Sequence, residues 1–73
     1  MPALQVVTLK EIQEIFVVTD RIGISREALV IPLKPKNPGS IKKTPGGKIE
    51  IIVDATQDFR DWLGGLEPKL RSL

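Results

Sequence analysis

The sequence predicts an α+β fold: an N-terminal helix, a small antiparallel β-sheet of two or three strands with a long basic Pro/Gly-rich hairpin loop, and a C-terminal amphipathic helical segment packed on one sheet face. Three observations predict it. Thr8-Leu9-Lys10-Glu11 has the form of a capping box, which opens helices. Ile49, Ile51 and Val53 alternate with Glu50, Ile52 and Asp54, the two-residue period of a strand. Phe59, Trp62, Leu63, Leu66 and Leu70 recur at helical spacing near the end of the chain. Seventy-three residues make one domain, 1–73, with no internal repeat.

In the first helix the Thr8 hydroxyl is placed to accept from the Glu11 backbone while the Glu11 carboxylate reaches back to the cap. Leu9, Ile12 and either Ile15 or Phe16 form its apolar side, and Lys10, Glu11, Gln13 and Glu14 its polar one. Phe16-Val17-Val18-Thr19 is aromatic and β-branched, so an extended chain is expected there; a helix running on to Gly23 is the alternative. Leu29, Ile31 and Leu33 alternate with Ala28, Val30 and Pro32. Because Pro32 has no N–H to donate, this strand belongs at an edge or beside a bulge.

Its expected hairpin partner is the strand at Ile49, across a connection from Pro35 to Gly47 with turns at Asn37-Pro38-Gly39 and Pro45-Gly46-Gly47. Asp54 and Gln57 form a second capping pair by spacing, with Asp58 and Asp61 adding negative charge toward the positive end of the helix dipole. Gly64-Gly65 and Pro68 should divide the last segment into two short helices sharing one apolar face. The expected core is Leu9, Ile12, Leu29, Ile31, Leu33, Ile49, Ile51, Val53, Phe59, Trp62, Leu63 and Leu66.

Composition excludes much chemistry. With no Cys and no His, the usual nucleophile–base pairs, histidine general acids and thiolate or imidazole metal sites cannot be built. No enzymatic activity, cofactor or metal centre is expected. The remaining opening for catalysis is Asp54, Asp58 and Asp61, which at spacings of four and three could share a helix face and hold Mg²⁺ through water; capping and solvation at a helix start is the preferred explanation of all three. Phe59 and Trp62 read as core residues rather than a stacking platform. A phosphate loop around Gly47-Lys48 is disfavoured, since Ile49 follows where Ser or Thr would be needed at a helix start.

A single Asn, one Met and prolines at 35, 38 and 45 fit a thermophilic source. The expected compartment is the cytoplasm, because no signal peptide or membrane-length apolar run is visible.

Charge is unevenly distributed. Lys34, Lys36, Lys42, Lys43 and Lys48 lie between Ala28 and Ile49 without one carboxylate, so a net charge of +2 divides into a +5 segment and a −3 remainder. These five lysines are the candidate polyanion-binding residues. Lacking Arg and aromatic neighbours, they would contact phosphates of nucleic acid or another polyanion without reading base sequence. Val30 and Ile52 fall on the strand faces opposite the stronger apolar sets and are the candidate interface residues.

A core of this size rarely supplies more than about 3–5 kcal/mol of net stability, which favours help from a second copy. The expected function is a small non-enzymatic interaction or oligomerisation domain, with a homo-oligomer or protein partner; the alternative is phosphate-backbone binding, with regulation as one use of it. No membrane partner is expected.

Thr8–Ile12 and Ile24–Leu29 resemble the two helices of a helix-turn-helix, and Gly46–Ile51 resembles the return strand of a wing. Pro32 and Pro35 would end such a recognition helix almost at once. The step from Lys48 to Leu63 is similar to the one preceding the zinc helix of small zinc-peptidase domains, but it contains no H-E-x-x-H. Membership of neither family is assigned.

Overall fold

The computed structural model describes residues 6–73. Helix α1 spans Leu9–Arg21. It opens at Thr8, whose N–H donates to the Glu11 carboxylate at 2.8 Å in a capping box. Phe16–Thr19 is therefore helical, which corrects the extended segment expected there. The reason is tertiary packing: Ile15, Val18 and Thr19 face the core, and that burial outweighs the modest helix penalty of β-branched side chains. The stop signal is Gly23, at φ +80°. Its N–H donates to the Asp20 carbonyl at 3.2 Å and the Ile24 N–H to the Thr19 carbonyl at 2.9 Å, the paired bonds of a Schellman motif.

Arg26–Ala28 forms only one 3-10 turn, so no recognition helix follows α1. Arg26 ties this turn back to α1, with its guanidinium 2.8 Å from the Asp20 carboxylate and 4.6 Å from the centre of the Phe16 ring.

The sheet has three strands: β1 (Leu29–Val30), β2 (Ser40–Lys43) and β3 (Ile49–Ile52), in the order β1-β3-β2. β2 and β3 are antiparallel, whereas β1 runs parallel to β3 with Leu29 opposite Ile49 and Val30 opposite Glu50. The sheet is thus mixed. The strand at Leu29 is a neighbour of β3 as expected, but not as its hairpin partner.

That role goes to β2, which forms inside the long connection and shortens the hairpin to Thr44–Lys48. The Thr44 carbonyl accepts from Gly47, the Thr44 N–H donates to the Lys48 carbonyl at 2.7 Å, and Gly47 takes φ +82°, as three-residue hairpin loops require.

Between β1 and β2 the chain crosses from one edge of β3 to the other. Lys36 makes a parallel bridge to Asp54, donating to the Val53 carbonyl at 3.0 Å and accepting from Ala55 at 2.8 Å. The crossover then passes Gly39. A Cβ there would stand 2.5 Å from the Asp54 nitrogen and the Ile52 carbonyl oxygen, so only glycine lets the two backbones approach this closely.

α2 (Phe59–Gly64) and α3 (Leu66–Arg71) are the two short helices, joined at Gly65. The break belongs to the glycines. Pro68 lies within the first turn of α3, where its missing N–H leaves no intrahelical bond unmade. Trp62, Leu66 and Leu70 form one buried stripe across the break, against Ile15, Val18, Ile51, Val53 and Val7. Two expected core residues lie outside it: Leu9 is 68% exposed and Leu33 56% exposed. Leu9 is out of phase with the Ile12–Ile15–Val18 arc that meets the sheet. Leu33 sits where the chain turns away from β1, its carbonyl accepting from Val7 at 2.7 Å.

Candidate interaction surfaces

Alternation along β3 directs Ile49, Ile51 and Val53 to the helices, and Glu50, Ile52 and Asp54 to the other face. The register carries Lys42 and Lys36 to that second face as well, opposite Glu50 and Asp54, and Lys48 joins them as the neighbour of Ile49. Lys43, opposite Ile49, belongs to the first face, and Lys34 precedes the bridge at the crossover.

The five lysines are all exposed but divide between surfaces. Lys42 is 3.6 Å from the Glu50 carboxylate. Lys36 sits beside Asp54. Carboxylates just beyond the segment therefore offset part of its charge.

The acidic trio does not assemble. Asp54 ends β3 in an Asx turn, its carboxylate accepting from the Thr56 N–H at 2.7 Å and from the Thr56 hydroxyl at 2.5 Å. Those bonds hold its pKa below the ordinary carboxylate value, with smaller contributions from the Gly39 backbone and the Lys69 charge. The N-cap of α2 is Asp58, accepting from the Arg60 N–H at 3.2 Å, so the expected Asp54–Gln57 cap is displaced by four residues. Among the described residues no group of three acidic side chains converges on a metal position.

Phe59 and Trp62 pack on each other with ring centres 5.7 Å apart, Trp62 buried.

Val30 is 38% exposed, but Ile52 is only 8% exposed. The burial of Ile52 corrects its expected place on an accessible interface, while Val30 remains exposed. Ile52 lies opposite Ser40 at the end of β3 wrapped by the Gly39 crossover, which removes it from solvent.

The apolar surface lies instead on the helical side. Val17, in the middle of α1, is 58% exposed, a large apolar side chain on the polar face of an otherwise amphipathic helix. It forms one wall of a groove of about 390 Å³ between α1 and α2, floored by Val18, Leu63 and Gly64 and rimmed by Glu14, Arg21 and Arg60. A Cβ on Gly64 would meet nothing within 4 Å, so the groove is open where a larger residue would narrow it. The sequence does not point to this site, because Phe16-Val17-Val18-Thr19 favours an extended chain. Once α1 is extended to Arg21, Val17 is the residue that breaks its polar face.

Among the described residues no helix is long and apolar enough to cross a membrane. Comparison with protein-family models, with curated proteins and with solved structures found no match.

Proposed function

We propose that the chain is a small non-enzymatic interaction domain that associates with a second copy of itself. The observation that carries this reading is Val17, exposed in the middle of α1 beside the groove between α1 and α2. Placing a valine on a helix face that is otherwise charged costs solvation without adding to the core, and a covering partner recovers that cost. Leu9 and Leu33 add exposed apolar area elsewhere on the surface. The small core supplies a second reason for association. Sedimentation velocity over a wide concentration range is expected to give a species heavier than 8.1 kDa that dissociates on dilution. A single monomeric boundary at every concentration would remove the reading.

A second reading keeps one specific observation. Lys36, Lys42 and Lys48 lie on the sheet face away from the helices, where they could follow a phosphate backbone. Three phosphate contacts give a slope of log K against log salt of about −2.7, not the value of about −4.5 for all five lysines. Absence of binding to DNA, RNA and heparin at low salt would eliminate it.

A further inference from the structure

We infer that the self-association surface is the Val17 face of α1, and that two copies pair there with their α1 helices antiparallel about a twofold axis passing between Val17 and Val18. The inference rests on the self-association reading and deepens it by naming the surface and its symmetry. In a twofold interface one patch must complement itself, and the charges on this face meet that condition. Glu14 and Arg21 stand on the same side of α1, one turn before and one turn after the valines. Reversing a second helix about the Val17–Val18 midpoint brings Glu14 of each copy opposite Arg21 of the other. Opposite charges then meet at both ends and apolar side chains meet in the middle.

The groove supplies the depth. Each Val17 enters the other copy's trough between α1 and α2, where Leu63 and the bare Gly64 leave room. Arg60, on the far rim, is a second cation for the incoming Glu14. Among the described residues Glu14 and Arg60 take part in no ion pair, and Arg21 has one exposed, 3.5 Å contact with Glu67. These charges are therefore available to a partner. About that midpoint the two helices overlap from Glu14 to Arg21, which at about 1.5 Å per residue gives a contact about 12 Å long. Such a contact belongs with small, reversible interfaces.

The test is charge reversal with complementation. Glu14→Arg sets arginine against Arg21 at both ends of the pair, and Arg21→Glu sets glutamate against Glu14. Each variant alone should dissociate at least about tenfold more readily, because like charges are brought together across the contact. An equimolar mixture should recover association, since one chain then presents two cations and the other two anions. Val17→Lys, at an exposed position a folded monomer tolerates, should also weaken association but gain nothing from mixing with either variant. Far-UV dichroism checks that each chain is folded.

Association of the charge variants as tight as that of the unaltered chain would overturn the inference while leaving self-association standing. Failure of the mixture to recover would overturn the antiparallel pairing. An unaltered chain that stays monomeric would overturn the parent reading as well.

Discussion

One glycine and one carboxylate show what single positions contribute. Gly39 stands where a Cβ would meet the backbone of Asp54 and Ile52 at 2.5 Å, and backbone atoms of a central strand cannot move aside as a flexible side chain can. Gly39→Ala is therefore expected to destabilise the fold by about 1–3 kcal/mol in urea titration, the usual range for forcing an extra carbon into a packed region. Asp54 acts through its charge. Its bonds to Thr56 depress the folded-state pKa, so their contribution is fully present above the unfolded value and lost as pH falls through the folded one. Unfolding midpoints should accordingly fall as acid is added below about pH 4. Asp54→Asn should flatten part of that dependence, and the Glu11 and Asp20 carboxylates, lowered by Thr8 and Arg26 respectively, should supply much of the rest. An unchanged acid profile in Asp54→Asn would show that the Asx turn contributes no charge-dependent stability.

At the scale of elements, α2 ends on a glycine whose added Cβ would touch nothing within 4 Å. Gly64→Ala should stabilise dilute protein by up to about 1 kcal/mol, by reducing the freedom of the unfolded chain and favouring helix. A loss of stability would mean that the α2–α3 break needs the glycine pair rather than Gly65 alone. The elements also show where sequence was informative. The Thr8 cap, the β3 alternation and the Trp62–Leu66–Leu70 stripe were legible because each is a local pattern with a direct physical cause. The continuation of α1 through Val17 and Val18 was not, because intrinsic preference favoured strand and the deciding contacts come from distant residues such as Ile51 and Leu66. Strand β2 was hidden for a different reason. Ser40-Ile41-Lys42-Lys43 has one apolar residue in four, and it is a strand because β3 offers an unpaired edge. Pairing to an available edge leaves little mark on a sequence. The candidate site followed the same division: the lysines were visible as composition, but their separation onto two faces and the Lys42–Glu50 pairing depend on register.

For the whole molecule, a small core lies between the sheet and three helices while Val17 remains on the outside, beside a groove with both signs of charge on its rim. The opposite sheet face carries three lysines but also Glu50 and Asp54, a mixed surface suited to solvent. The β2 edge of the sheet carries Lys42 and Lys43, one on each face, residues that discourage further strand pairing. The proposed association uses the helices and leaves the sheet free, and amide NMR spectra recorded through a dilution series test it most directly. The prediction is that shifts change with concentration at Glu14, Val17, Val18, Arg21, Leu63 and Gly64, while Lys42, Lys43 and Lys48 stay fixed. Changes confined to the β2–β3 hairpin, or none at any residue up to millimolar concentration, would contradict it.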